Sequence, residues 1–154
     1  MTHWDEAKIP FIENLADLGG MLALDALLMN EDRHRQNILL QSVGRKKNAF
    51  EVWSIDLGNA LVGFPSDFLD IGLEIPDPRN LARGIPVTNL QGAAKQSALR
   101  AQAIDATLID EFCQEACSLV SEPTVDKYSE VLKHRCANAT SLVARYLKAI
   151  ASRS

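Results

Sequence analysis

Hydrophobic and polar positions divide the chain into an apolar first segment, a short β-prone middle and a helical last third. In residues 9–29 apolar side chains recur at helical spacing and cover nearly the whole circumference, which predicts a mostly helical, buried segment. Two β-prone runs follow at residues 38–40 and 50–55, and the polar stretch between them predicts a hairpin tip. Trp53 is most simply a residue of the sheet or core.

The last third carries three more helical patterns. Residues 91–103 are rich in good helix formers, and residues 107–120 place apolar side chains at helical spacing after Thr107, the expected N-cap. Residues 124–151 predict one long helix or two helices joined near Asn138.

A long irregular segment is expected between the hairpin and these helices. Residues 61–89 contain four prolines and three glycines, which is typical of a functional or mobile segment. With 154 residues and 47% hydrophobic content, the chain can form one ordinary core. We therefore predict a single domain that is mainly α with a small β-hairpin.

Charge and composition limit the classes of binding partner and the location that we expect. A formal charge of −4 and a pI near 5.3 argue against nucleic acid or an anionic membrane as the main partner. No apolar run approaches the ~20 residues of a membrane span and no secretory signal pattern is evident, so we expect a cytoplasmic location. Helix packing explains Cys113, Cys117 and Cys136 more simply than a zinc site that includes His134.

Three polar residues suggest chemistry at the hairpin. Asn37 follows Asp32 by five positions, and Asp56 follows Asn37 by nineteen, which leaves room for a strand, a turn and a returning strand. Mg²⁺ prefers oxygen ligands, so a carboxylate and an amide suit it better than cysteine does. Phosphoryl transfer also requires a carboxylate to accept the proton of the attacking hydroxyl. We assign that role to Asp32, and metal binding to Asn37 and Asp56.

Spacing alone does not support this assignment, because Asp25 and Asn30 are also five positions apart. Helical periodicity is a sufficient explanation for that pair. Simpler roles are open for the others too: Asp32 could pair with a neighbouring arginine, Asn37 could form a turn, and Asp56 could cap the turn at Gly58.

The strings DRHRQN, starting at Asp32, and IDLG, ending at Gly58, resemble the catalytic and metal-binding loops of a known superfamily. The similarity is to phosphatidylinositol 3- and 4-kinase-like enzymes and equally to bacterial HipA-like kinases, and it covers residues 29–58. The resemblance implies Asp32 as catalytic base and His34 as a supporting catalytic residue. It also implies Asn37 and Asp56 as Mg²⁺ ligands that bind ATP phosphates through the metal.

The resemblance also implies a division of the chain like that of a kinase C-terminal lobe. Its parts are an N-terminal helix at residues 1–30, catalytic and metal-binding loops at 31–60, an activation-segment-like loop at 61–90 and a helical bundle at 91–154. No glycine-rich loop or strand lysine is recognisable before Asp32, so we expect an N-terminal lobe or partner polypeptide to complete the enzyme. Apolar surface around the hairpin would favour that partner or a homo-oligomer.

Two classes of function are compatible with these features. One is an ATP- and Mg²⁺-dependent kinase lobe, and the other is a noncatalytic kinase-like module that binds proteins. The three candidate residues favour the first class, and the missing lobe favours the second. The acceptor, which could be a protein, a lipid or a small molecule, is not encoded in these patterns.

Overall fold

The structure is a computed structural model that describes residues 1–44, 48–57, 74–120 and 125–153. These residues form a mainly helical fold with a small antiparallel sheet, which confirms the predicted class. The regular elements are β1 Thr2–His3, α1 Leu15–Leu28, β2 Ile38–Ser42, β3 Phe50–Ser54, α2 Val87–Gln102, α3 Ala106–Val120, α4 Val125–Ala137 and α5 Ala139–Ala151. Short 3₁₀ helices cover Glu6–Phe11, Arg35–Asn37 and Pro78–Asn80.

The predicted hairpin is present, but it belongs to a three-stranded sheet in the order β1-β2-β3. Leu39 of β2 lies opposite Trp53 of β3, and β1 pairs with the other edge of β2. The Trp4 N–H continues this pairing by donating to the Ile38 carbonyl at 2.9 Å. Trp53 lies in the sheet, yet it is 50% exposed and so is not a core residue.

The outer edge of β3 is covered by the chain that precedes α1. The Asn14 side chain accepts a hydrogen bond from the Val52 N–H at 2.7 Å and donates one to the Val52 carbonyl at 3.0 Å. The Glu13 N–H donates to the Phe50 carbonyl at 2.8 Å. An amide side chain thus takes the place of a fourth strand and satisfies backbone groups that could otherwise pair with another chain.

The first helical segment is shorter than predicted. Instead of a helix over most of residues 9–29, the chain forms the 3₁₀ helix Glu6–Phe11, and α1 begins only at Leu15. Pro10 lacks an N–H and cannot continue an α-helix from the preceding turn. At the other end Met29 has a φ of 52°, a left-handed conformation that ends α1.

The core is formed by α1, α2 and α5, which pack on one another and on the inner face of the sheet. Most of the apolar positions predicted on α1 are buried and meet side chains from the last helix, but Leu24 is 40% exposed, so α1 is not buried on all sides as predicted. Fully buried members include Leu18, Leu22, Ala26, Leu90, Ala94, Leu142 and Val143.

Arg135 joins α4 to the end of α1. It is fully buried, and its Nε donates to the Leu27 carbonyl at 2.7 Å. Its Nη2 donates to the carbonyls of Ala26 at 2.6 Å and Glu74 at 2.9 Å. These contacts satisfy carbonyls that the last turn of a helix leaves without partners. Burial lowers the pKa of Arg135 to about 10, so the guanidinium stays charged at neutral pH.

The helices of the last third largely follow the predicted pattern. Residues 125–151 form two helices, α4 and α5, which meet at Asn138; this is the second of the two predicted alternatives. The predicted N-cap of α3 was wrong by two positions: Asp105 precedes the helix and accepts a hydrogen bond from the Thr107 N–H at 2.7 Å. That hydrogen bond lowers the pKa of Asp105. Asp is as good an N-cap as Ser and better than Thr.

Other expectations fall on residues outside the described ranges. These are residues 45–47 of the hairpin tip, the turn at Gly58 and the part of the activation-segment-like loop up to residue 73. Residues 74–86 are described, and they contain the 3₁₀ helix Pro78–Asn80. Among the described helices none has the length and hydropathy needed to cross a membrane.

Close packing of α1 on α2 leads to a first testable expectation. A Cβ on Gly19 would lie 2.8 Å from the Ala93 Cβ and 2.9 Å from the Ala94 N and Leu90 O, so Gly19→Ala forces the two helices apart. We expect a loss of about 1–3 kcal/mol in the free energy of unfolding, measured by denaturant titration.

Gly20→Ala is the matched control for this substitution. A Cβ there would meet only the Ser97 Oγ, at 3.3 Å. Because alanine favours a helix over glycine by up to ~1 kcal/mol, this variant should be as stable as the parent or more so. Equal effects of the two substitutions on the free energy of unfolding would show that the packing of α1 on α2 does not require a glycine at position 19.

Candidate functional site

The loop that carries the candidate residues is organised around a buried ion pair. Arg33 is 1% exposed, and Asp25 of α1 is fully buried. The Arg33 Nη2 lies 2.8 Å from the Asp25 Oδ1, and the Nε lies 3.0 Å from the Oδ2. The guanidinium and the carboxylate thus form a bidentate ion pair. A charge buried this deeply is tolerated only when it is paired and hydrogen-bonded.

Asn30 completes this arrangement. Its Nδ2 donates to the Asp25 Oδ1 at 2.6 Å, and its Oδ1 accepts from the Asp32 N–H at 3.2 Å. Helical periodicity was therefore not a sufficient explanation for Asp25 and Asn30. The two side chains connect the last turns of α1 to the backbone of the candidate base.

The other side of the Arg33 guanidinium reaches two backbone carbonyls. Its Nη1 donates to the carbonyl of Asn37 at 3.1 Å and to that of Ile55 at 2.8 Å. The Ile55 N–H in turn donates to the Asn37 carbonyl at 3.2 Å. One buried side chain thereby fixes the start of β2 relative to the chain that leaves β3.

Asp32 and Asn37 are in direct contact. The Asn37 Nδ2 donates to the Asp32 carbonyl at 2.8 Å and makes a longer contact of 3.4 Å with the Asp32 Oδ2. This orientation directs the amide nitrogen of Asn37 toward Asp32 and leaves Oδ1 as the atom suited to a metal. Asn37 is buried and Asp32 is partly exposed, so the carboxylate is accessible from solvent.

His34 is held beside the candidate base. Its Nε2 lies 3.5 Å from the Asp32 Oδ1, and its Nδ1 accepts a hydrogen bond from the Gln36 N–H at 3.2 Å. An acceptor at Nδ1 assigns the proton of the neutral ring to Nε2, the nitrogen that faces Asp32. His34 thus both orders the loop and contacts the carboxylate.

Asp56 lies at the same end of the hairpin. It follows Ile55, whose N–H and carbonyl are bonded to Asn37 and Arg33. Its φ of 58° is left-handed, a conformation that aspartate tolerates better than most residues and that recurs at functional sites. Asp56 is exposed. The structure thus brings Asp32 into contact with His34 and Asn37, and Asp56 directly follows the residue that is bonded to Asn37 and Arg33.

The donor set fits a hard cation. Asn37 and Asp56 offer an amide and a carboxylate oxygen, the ligand types that Mg²⁺ takes, and Asp32 is the candidate base. Within the described ranges no group of three or more His, Cys, Asp or Glu side chains could hold a metal, and this pair includes only one such side chain.

The residues that position the site were not identified from the sequence. The sequence pattern suggested Arg33 only as a possible partner of Asp32, whereas its ion pair is with Asp25. Tyr146 of α5 lies near this pair: burial raises the pKa of its phenol, the Asp25 carboxylate raises it further, and Arg33 lowers it. The signal that could have identified Asp25 is an acidic residue within an apolar helix, since such a residue needs a buried partner.

Comparison with protein-family models, with curated proteins and with solved structures found no match. The geometry of these side chains is therefore what supports a function.

Removal of the buried carboxylate tests the organising role of the ion pair. Asp25→Ala leaves the Arg33 charge buried without its carboxylate, and we expect a loss of about 3–5 kcal/mol in unfolding free energy. Arg35→Ala, an exposed position in the same loop, should change it by less than ~0.5 kcal/mol. Both are measured by urea unfolding followed by circular dichroism. A loss under ~1 kcal/mol for Asp25→Ala would contradict the assigned role.

Proposed function

We propose that the chain is the catalytic lobe of an ATP- and Mg²⁺-dependent phosphotransferase, of the kind that HipA-like and phosphoinositide-kinase-like enzymes represent. The single observation that carries the proposal is the contact between Asp32 and Asn37, next to Ile55, the residue that precedes Asp56. The Asn37 amide is bonded to the Asp32 carbonyl at 2.8 Å and lies 3.4 Å from the Asp32 carboxylate, so the two candidate residues are held together. A buried ion pair whose bonds hold both loops in place is also consistent with a site that must be preorganised.

Each residue has a role in this proposal. Asp32 accepts the proton of the acceptor hydroxyl, and its partial exposure gives a substrate access to the carboxylate. Asn37 and Asp56 would hold Mg²⁺, which when bound neutralises charge on the ATP phosphates. His34, whose Nε2–H faces the Asp32 carboxylate at 3.5 Å, orients that carboxylate.

A partner lobe is part of the proposal. Apolar side chains on and after β3 are exposed at the site: Trp53 by 50%, Ile55 by 42% and Leu57 by 39%. An N-terminal lobe or partner polypeptide that supplies a phosphate-binding lysine and a covering loop would bury them. Positioning supplies most of the rate in phosphoryl transfer, so this chain by itself should be a poor kinase.

Nucleotide binding tests the metal ligands directly. We expect Asp56→Asn to weaken Mg²⁺-ATP binding about tenfold or more in calorimetric titration while leaving the unfolding free energy nearly unchanged, because an exposed metal ligand is lost without disturbing the core. Asp126→Asn, which neutralises an exposed carboxylate on α4, is the matched control and should bind like the parent. Undiminished binding by Asp56→Asn would exclude Asp56 as a ligand.

The rate of phosphoryl transfer tests the role of Asp32 as general base. With the completing lobe present, Asp32→Ala should retain Mg²⁺-ATP binding and lose about 10²–10⁴-fold in the rate of phosphoryl transfer, as expected when a general base is removed. The assay follows ADP release at varied Mg²⁺, with and without the partner polypeptide. Robust turnover by the 154 residues alone would show that the phosphate clamp lies within this chain.

A second candidate function is a noncatalytic module that binds protein, and one observation favours it. A groove of about 580 Å³ lies between α1, α2, α3 and α4, and its surface is almost wholly apolar. On α3, Leu108 is 56% exposed and Phe112 is 66% exposed along this groove. Exposed apolar surface of this kind is typical of protein interfaces. This groove lies among the helices, and the candidate site lies at the end of the hairpin.

Measurement of self-association tests whether the groove binds protein, with a second copy of the chain as the partner. If a second copy covers the groove, sedimentation should show concentration-dependent association that Phe112→Glu removes. Leu99→Glu, at a similarly exposed apolar residue that does not line the groove, should leave association intact. Equal behaviour of the two variants would exclude the groove as a self-association surface.

A further inference from the structure

A second cavity, of about 580 Å³, lies between the 3₁₀ helix Pro78–Asn80 and the end of α5. Its charged lining consists of Arg79, Arg83 and Arg153, and among the described residues no acidic side chain lines it. The rest of its wall is mostly apolar and includes Leu81, Ala82, Ile85 and Ile150. Three cations around one cavity stand out in a chain whose formal charge is −4.

Two of these arginines have no partner among the residues that the structure describes. Arg83 and Arg153 are exposed, and their side chains make no ion pair or hydrogen bond there. The Arg79 Nε lies 2.5 Å from the Asp77 Oδ2, and the Asp77 Oδ1 accepts from the Arg79 N–H at 2.9 Å. Asp77 thereby holds Arg79 in place and offsets one of the three charges.

Local structure explains only part of this arrangement. Arg153 follows the C-terminal end of α5, where the helix dipole favours a cation. The dipole does not account for Arg79 and Arg83, which come from a distant part of the sequence. Arg83 is held by its backbone, since the Trp4 Nε1 donates to its carbonyl at 2.9 Å, and Gly84 turns the chain after it with a φ of 73°. Like charges facing one cavity repel each other unless an anion lies between them.

We propose that this cavity binds a small phosphate-bearing molecule through Arg79, Arg83 and Arg153. Guanidinium groups donate paired N–H bonds that match phosphate oxygens. The cavity is separate from the Asp32–Asn37–Asp56 site. The two are connected through the backbone, because the Ala82 N–H donates to the Arg33 carbonyl at 3.0 Å. Binding of an anion in this cavity does not depend on phosphotransfer.

Titration with inorganic pyrophosphate, in the presence of a chelator that removes divalent cations, tests the site. We expect saturable binding by calorimetry, with amide chemical-shift changes concentrated in residues 78–85 and 150–153. Arg83→Ala and Arg153→Ala should each weaken binding about tenfold, because each removes charge-assisted hydrogen bonds. Raised salt should weaken binding by the parent.

Arg100→Ala is the matched control, since Arg100 is also exposed, has no ion-pair partner in the described part of the chain and lies away from this cavity. It removes the same charge and should change binding less than about twofold. Asp56→Asn should bind pyrophosphate like the parent. Absence of saturable binding, equal weakening by Arg100→Ala, or a change in affinity with Asp56→Asn would each overturn the proposal. The last result would place the anion in the phosphotransfer site instead.

Discussion

The ion pair between Arg33 and Asp25 is the interaction on which the loops of this protein depend. Through it the last turns of α1, the start of β2 and the exit from β3 are joined by one guanidinium. The desolvation of two buried charges offsets much of the free energy of their attraction, so the ion pair by itself is weak evidence for a stable fold. Its effect is conformational: few loop geometries satisfy the carboxylate, two carbonyls and Asn30 together. The site residues occupy defined positions because the residues next to them in the chain, Arg33 and Ile55, are held by these bonds.

Local pattern was sufficient for most of the fold. Helices α3, α4 and α5 contain enough periodic apolar positions, and the β2–β3 hairpin enough β-prone residues, to be predicted without knowledge of their partners. The first fourteen residues are different. A two-residue strand such as β1 has no period, and its pairing is set by contacts with β2, thirty-odd positions later. In the sequence Asn14 is an ordinary polar residue, and its bonds to Val52 of β3 become evident only in the structure.

The candidate site shows the same division. The order of Asp32, Asn37 and Asp56 is visible in the sequence, and the structure brings the first two into contact. What holds them was not visible, because Arg33 reads as one more exposed cation in a polar string, whereas it is almost fully buried. Its partners lie eight positions before it and up to twenty-two after it, beyond the range of any helix or strand period. Long-range polar contacts of this kind carry no local signature.

The contacts of Arg135 have a consequence for how the chain folds during synthesis. The carbonyls of Ala26 and Leu27 receive their bonds from a residue 109 and 108 positions later. Until α4 has left the ribosome, the end of α1 and the loop beyond it lack this support, so a nascent chain that ends before α4 cannot reach the native arrangement. At about 5–20 residues per second, this interval lasts seconds, long enough for a chaperone to bind the apolar face of α1. Folding should therefore be completed late and cooperatively, when the last helices dock.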